Sequence, residues 1–191
     1  EELSEEEQIE KFIETIQPEK DPNKIISRKR LLTDEEKQLF TYFVTVPGMK
    51  EQLLDVLCDV QMGAADKTSQ TGNVIVMGGR ETGKTRLISS LIPAICKELN
   101  IEASKVAYIF ADDLNGKDIP EIVSKLAGGF LVIEDANQLS QETAAELEEV
   151  MNGNTKGMIV ILEDEKIGMR KLIARYPKLA KKFTSMINIP V

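Results

Sequence analysis

The sequence contains no histidine and only two cysteines, Cys58 and Cys96. Without imidazole, neither a histidine-bound metal centre nor Ser-His or Cys-His nucleophilic catalysis is available to this chain. Both cysteines lie in apolar helical patterns, so we interpret them as small buried side chains rather than as a disulfide or a nucleophile.

The sequence also lacks a surplus of basic residues and any long apolar run. Its formal net charge of −8 argues against sequence-independent binding of nucleic acid. We interpret the densest basic segment, residues 24–30, as a solvated connector, with a local basic patch as the alternative. No apolar stretch approaches the roughly 20 residues of a membrane span, and no signal peptide opens the chain, so we expect a cytoplasmic protein. Because the sequence begins at Glu1 without methionine, we expect a piece of a larger protein.

The N-terminal part is predicted to be helical. A capping box and apolar residues at helical spacing indicate an acidic amphipathic helix over residues 1–17. We expect this helix to pack back onto the domain or to form part of a connector, with docking of a protein partner through its apolar face as the alternative. A second capping box, Thr33 with Glu36, opens a further helix, and a third helix precedes a loop over residues 63–72.

From residue 73 onward, short β-branched runs alternate with helical stretches. The predicted strands cover residues 73–77, 106–110, 130–134, 158–162 and 186–190, and the helices between them cover residues 84–98, 119–126, 141–151 and 167–175. This alternation predicts a parallel sheet with helices on both faces. We therefore divide the chain into an acidic helix and linker over residues 1–32 and an α/β domain over residues 33–191.

The most specific motif is GGRETGKT at residues 78–85, which follows a predicted strand and opens a predicted helix. Glycines at positions 78 and 83 allow the backbone to wrap closely around phosphates, with N–H groups and a helix N-terminus pointing at them. Lys84 is predicted to reach the β- and γ-phosphates, and the Thr85 hydroxyl to bind Mg²⁺. The predicted nucleotide-binding residues are Gly78, Gly79, Arg80, Glu81, Thr82, Gly83, Lys84, Thr85 and Arg86.

A second motif supports the first. The apolar strand at residues 130–134 ends in two carboxylates, Glu134 and Asp135, where a Walker B motif is expected. The alternative is an ordinary strand end with solvated acids. Residues 115–118 hint at a guanine-reading motif, but the lysine is misplaced and the segment precedes Walker B, which favours ATP over GTP.

With these motifs in place, the chain resembles an AAA+ ATPase, and residues 44–191 resemble most the CbxX/CfqX branch (the Rubisco-activase and sporulation-protein-like group). The segments that carry the resemblance are VPGMKEQLLDVL, TGKT, GGFLVIEDANQLS and ILEDEKIGMRKLIARYPKLAKKF. The resemblance implies a P-loop NTPase fold, a three-layer αβα sandwich around a five-stranded parallel sheet. This would be the AAA+ large subdomain, preceded by N-terminal helices and without a lid subdomain.

Several positions depart from the family pattern. The family has Asp then Glu at the end of Walker B, whereas this chain has Glu134 then Asp135. The sensor 1 region reads Leu162-Glu163-Asp164, which brings extra negative charge toward the γ-phosphate. The resemblance implies an arginine finger at Lys182, where lysine keeps the charge but lacks the planar fork. A solvated basic turn is the alternative there. The pore loop, the lid and the sensor 2 arginine are not recognisable in this sequence.

We therefore expect a Mg-ATP-binding AAA+ domain, a slow or partner-dependent ATPase within a larger protein. The predicted catalytic residues are Asp135, Glu134 and Lys182, and the predicted Mg²⁺ ligands are Thr85 and Glu134. The first alternative is a catalytically degenerate nucleotide-binding or structural module. The second is an adaptor with a vestigial P-loop, which an intact Lys84-Thr85 pair disfavours. We expect no nucleic-acid or membrane partner, and a monomer or weak homo-oligomer.

Overall fold

The computed structural model describes residues 13–16, 32–62, 65–101 and 104–190. Two sequence predictions lie wholly or mostly outside these residues: the acidic helix, apart from residues 13–16, and the basic connector at residues 24–30. The division of the chain near residue 32 stays a prediction.

The described residues form a central six-stranded sheet with the strand order β1-β3-β4-β5-β2-β6. Strands β2 to β6 all run parallel, and β1 pairs antiparallel with β3. The strands are β1 (Ile13–Ile16), β2 (Asn73–Met77), β3 (Ser104–Phe110), β4 (Phe130–Glu134), β5 (Ile159–Asp164) and β6 (Phe183–Asn188). The predicted five-stranded parallel sheet is thus confirmed.

Strand β1 corrects one prediction. Residues 13–16 form a strand, so the helix predicted over residues 1–17 is wrong there. In a segment this short, apolar residues three apart fit a helix face, but the open edge of β3 decides the outcome. Pairing Ile13 with Ala107 and Ile16 with Ser104 gives the backbone groups of that edge a partner. The Ile13 side chain also packs against the buried core.

The helices follow the predicted order. They are α1 (Asp34–Leu39), α2 (Thr41–Val44), α3 (Met49–Met62), α4 (Lys84–Glu98), α5 (Ala111–Leu114), α6 (Ile119–Lys125), α7 (Gln141–Met151), α8 (Lys166–Arg175) and α9 (Pro177–Ala180). The capping box at the start of α1 is present: Glu36 N–H donates to Thr33 Oγ1 at 3.2 Å, and Thr33 N–H donates to Glu36 Oε1 at 2.9 Å. Within the described ranges, no helix is both long enough and apolar enough to cross a bilayer.

Two apolar cores sandwich the sheet. Helices α3 and α4 cover one face, together with Phe40 and Phe43, and helices α5 to α9 cover the other. Because strand side chains alternate between faces, Val132 and Ile161 point toward α4, and Glu134 and Glu163 follow them on that same face. The sequence thus places two carboxylates beside the loop that opens α4.

Candidate functional site

Residues 78–83, called the phosphate loop after their sequence motif, join β2 to α4 at the carboxyl edge of the parallel strands. Two glycines of this loop are required by their surroundings. Gly83 has a φ of 85°, and a Cβ there would lie 3.3 Å from Phe43 Cζ. At Gly78, a Cβ would lie 2.7 Å from Thr82 Oγ1 and 3.2 Å from Ile189 Cβ. Side chains at these positions would therefore distort the loop.

The loop presents backbone N–H groups at the start of a long helix. The first hydrogen bond of α4 runs from Leu87 N–H to Gly83 O at 2.8 Å. In the described ranges, the N–H groups of Gly83, Lys84 and Thr85 donate to no protein acceptor. Unpaired N–H groups at a helix N-terminus carry partial positive charge and bind anions. This geometry fits a phosphate group.

Lys84 lies folded against this loop with only 11% of its side chain exposed. Its Nζ donates to Gly78 O at 3.0 Å and to Gly79 O at 2.8 Å. Gly79 O also accepts from Thr82 Oγ1 at 2.7 Å, which closes the loop on itself. A positive charge is therefore held at the mouth of the N–H nest.

The two predicted Mg²⁺ ligands meet directly. Thr85 Oγ1 donates to Glu134 Oε1 at 3.0 Å, which joins the start of α4 to the end of β4. Among the described residues, no group of three or more Asp, Glu, Cys or His side chains could hold a metal by itself. A hydroxyl and one carboxylate fit Mg²⁺ all the same, because this ion keeps several waters and takes its remaining ligands from phosphates.

A third carboxylate, Glu163 at the end of β5, reaches the same place. Its Oε1 lies 3.7 Å from Lys84 Nζ, and its Oε2 accepts from Asp135 N–H at 3.2 Å. Burial raises the pKa of Glu163, and the charges of Asp135 and Glu134 add to the rise. The Asp135 N–H bond and the charge of Lys84 oppose the rise.

Asp135 occupies a strained backbone position just beyond β4. Its φ of 51° and ψ of 49° are left-handed, a region that few non-glycine residues adopt. Its exposed side chain lines a cleft of about 380 Å³ together with Arg80, Asp164, Glu165 and Lys171. In the described part of the chain, its carboxylate makes no hydrogen bond to the phosphate loop. The site therefore brings Asp135 to its rim rather than to its centre.

Three further predicted binding residues belong to the loop itself or to the first turn of α4. Arg80 is exposed and lies 3.6 Å from Glu165, a pair whose interaction is weak in solvent. Glu81 is exposed with a φ of 61°. The Arg86 guanidinium lies 5.1 Å from the centre of the Tyr42 ring. The described contacts of Arg80 and Arg86 are therefore with residues outside the loop, and all three side chains lie at the rim of the site.

Lys182, the predicted finger, lies far from this loop in the fold. It precedes β6, so it lies at the amino end of the parallel strands, whereas the phosphate loop lies at their carboxyl end. The residue is 8% exposed. Its Nζ donates to Asn152 Oδ1 at 2.7 Å and lies 3.2 Å from Glu148 Oε1. The structure therefore does not bring Lys182 to the phosphate loop of its own chain, and a role on a neighbouring copy stays a prediction.

Sequence reasoning did not identify three contributors to the site: the Phe43 ring under Gly83, the Tyr42 ring beside Arg86, and the contact of Glu163 with Lys84. The first two come from helix α2, whose path toward the loop has no local signal in the sequence. The third had a signal, because Glu163 and Asp164 at the end of β5 were predicted to bring negative charge toward a γ-phosphate.

Neither a protein-family model nor a curated protein matches the chain. Solved structures do match it. The structure of C. elegans PCH-2 aligns with 84% of this chain at 12% identity and a TM-score of 0.60, and this chain spans 48% of that one. The crystal structure of the DnaC helicase loader aligns with 83% of this chain and all 100% of its own, at 17% identity and a TM-score of 0.50. At these identities the likeness concerns the fold.

The chain therefore has an α/β fold like that of these two structures, with a parallel sheet covered by helices on both faces. The five parallel strands lie in the order β6-β2-β5-β4-β3, and the phosphate loop follows β2, which lies between β6 and β5. The chain spans about half the length of PCH-2.

Proposed function

We propose that this domain binds a Mg-nucleotide at the loop before α4 and hydrolyses ATP slowly or only with a partner. One observation carries the proposal, namely the 3.0 Å hydrogen bond between Thr85 and Glu134. A strand that ends in acids is common when taken alone, whereas the phosphate-binding motif of the loop is specific. The contact between the loop and this strand, through the two side chains that would share Mg²⁺, supports a Mg-nucleotide site.

Each residue has a distinct part in binding. The N–H groups at the start of α4 hold the phosphates, and Lys84 neutralises their charge. Thr85 and Glu134 would hold Mg²⁺, which would supply positive charge to neutralise the phosphates. Arg80, Glu81 and Arg86 lie at the rim, where they shape access more than they hold the ligand.

Hydrolysis is assigned to Asp135 as the group that activates water, with Glu134 supporting the metal. Asp135 lies at the end of β4, beside the cleft that also contains Arg80. Its short side chain and its exposure support a slow rate, because an imperfectly positioned base loses much of its effect. The CbxX/CfqX branch, the location in the cytoplasm and the weak self-association stay predictions from the sequence.

A degenerate nucleotide-binding module is the second candidate. The contacts of Lys182 with Glu148 and Asn152 favour it. The Lys182 ammonium is engaged by Glu148 and Asn152 of its own chain. Acting on the nucleotide of a neighbouring copy would require breaking these bonds in a mostly buried place, at a cost of about 1–3 kcal/mol. If the domain is such a degenerate module, nucleotide binding stabilises its fold or an assembly, and ATP is not turned over.

The test is a calorimetric titration with Mg-ATP on the parent and on Lys84→Ala, with phosphate release measured on the same samples. Lys178→Ala is the matched control, because it removes an exposed lysine of α9 at a distance from the loop. The proposal predicts binding by the parent and the control, and its loss in Lys84→Ala.

Release of phosphate by the parent separates the two candidates. A slow release that Lys84→Ala abolishes supports an ATPase, and binding without release supports the degenerate module. If the parent bound no nucleotide, both candidates would fail and the adaptor interpretation would take their place.

A further inference from the structure

Glu163 has no part in the proposed chemistry, yet it contacts two of the groups that do. One oxygen lies 3.7 Å from Lys84 Nζ, and the other accepts from Asp135 N–H at 3.2 Å. Only 8% of the side chain is exposed. Because both oxygens are engaged and the group is buried, the carboxylate is held beside the lysine that would receive a phosphate.

The charges around Lys84 are unbalanced. Glu163, Glu134 and Asp135 all stand at this edge of the sheet, and their charges act on one another. Arg80, a cation of the same loop, is 91% exposed and pairs with Glu165, so that solvent screens it strongly. Lys84 is therefore the buried cation that both Glu163 and a terminal phosphate would share.

We propose that Glu163 makes this site discriminate against the γ-phosphate, so that Mg-ADP binds at least as tightly as Mg-ATP. The inference rests on the proposed nucleotide binding. A γ-phosphate must draw Lys84 away from Glu163, which leaves a buried carboxylate facing a second negative group. A diphosphate brings less negative charge and relies more on the N–H groups at the start of α4, so it meets this penalty to a smaller degree.

The discriminating variant is Glu163→Gln, which keeps the shape of the side chain and an oxygen for Asp135 N–H but removes the charge. Affinities for Mg-ADP and Mg-ATP are measured by calorimetry on the parent, on this variant and on Glu149→Gln. The last removes the same charge from an exposed position near the end of α7. We expect Glu163→Gln to strengthen ATP binding by about tenfold or more, with a smaller change for ADP. Glu149→Gln should leave the ratio of the two affinities as in the parent.

A second variant guards against a change of structure. Glu163→Met has a similar volume and no charge, and it should shift the ratio in the same direction, with thermal unfolding confirming that both variants are folded. An unchanged ratio in both variants would overturn the role of Glu163 and leave the proposed function standing. If phosphate release were lost while the ratio of the two affinities stayed unchanged, Glu163 would have a part in catalysis, and its proposed role in nucleotide discrimination would be overturned. If neither nucleotide bound to any of these proteins, the proposed function would fail along with the inference.

Discussion

Thr85 and Glu134 stand 49 positions apart in the chain, and a 3.0 Å hydrogen bond joins their side chains at the edge of the sheet. Two strands and the loop before α4 must be in register for this bond to form, because β4 reaches β2 only across β5. The glutamate side chain is long enough to reach the threonine hydroxyl across this gap. The order of Glu134 and Asp135 is therefore compatible with the proposed binding of Mg²⁺ by Thr85 and Glu134.

Asp135 is predicted to act in hydrolysis and not in binding. Asparagine tolerates the left-handed backbone, so Asp135→Asn keeps the local conformation and removes the base. Phosphate release should fall by about 10²-fold or more, while the affinity for Mg-ADP stays as in the parent. Asp55→Asn on the exposed side of α3 is the control. Equal rates in parent and Asp135→Asn would assign water activation to another group.

Lys182 is predicted to stabilise the fold of its own chain. Replacing it by methionine removes the buried ammonium that contacts Glu148 and Asn152, whose side chains still share a 3.3 Å hydrogen bond with each other. The free energy of unfolding should decrease by about 1–3 kcal/mol in a denaturant titration. Lys181→Met removes an exposed neighbour and should change it by less than about 0.5 kcal/mol. A Lys182→Met protein as stable as the parent, with phosphate release reduced, would support the finger role instead.

The pKa of Glu163 predicts a pH dependence of stability. Because burial raises this pKa above its ordinary value of 4.5, the folded state favours the protonated form. The resulting stabilisation is complete below that value and is lost as the pH rises through the raised pKa. The free energy of unfolding of the parent, minus that of Glu163→Gln, should therefore fall from about pH 4.5 upward and then level off. A difference that stays constant or increases over this window would contradict the assignment. Lys84, Asp135 and Glu134 face this carboxylate and are unchanged in the comparison.

Much of the fold could be predicted because its signals are local. The strand at residues 73–77 and the helices at residues 84–98 and 141–151 have the predicted bounds, since β-branched runs and amphipathic spacing specify them directly. Strand β1 could not be predicted in this way. Its pairing depends on the open edge of β3, about 90 positions away along the chain by the register of Ile13 with Ala107.

The sequence predicts which residues belong to the site better than it predicts which of their side chains are in contact. The motif identifies the loop with Lys84 and Thr85, and alternation along β4 predicts that Glu134 and Asp135 face opposite ways. The sequence also marks Glu163 as an acid near the loop, but only packing decides that it reaches Lys84. Asp164 was not predicted to have a structural role. Its buried carboxylate accepts from the N–H of Asn137 at 2.7 Å and so ties β5 to the turn after β4.

The most direct measurement of the central claim is the Mg²⁺ dependence of ADP affinity in the parent and in Thr85→Val, a variant of nearly equal shape that lacks the hydroxyl. The account predicts that ADP binds to the parent more tightly with Mg²⁺ than in the presence of a chelator, and that Thr85→Val loses this difference while it still binds ADP through the loop. Equal affinity in the parent with and without Mg²⁺, or a Mg²⁺ effect that persists unchanged in Thr85→Val, would contradict the claim that Thr85 and Glu134 together form the metal side of a nucleotide site.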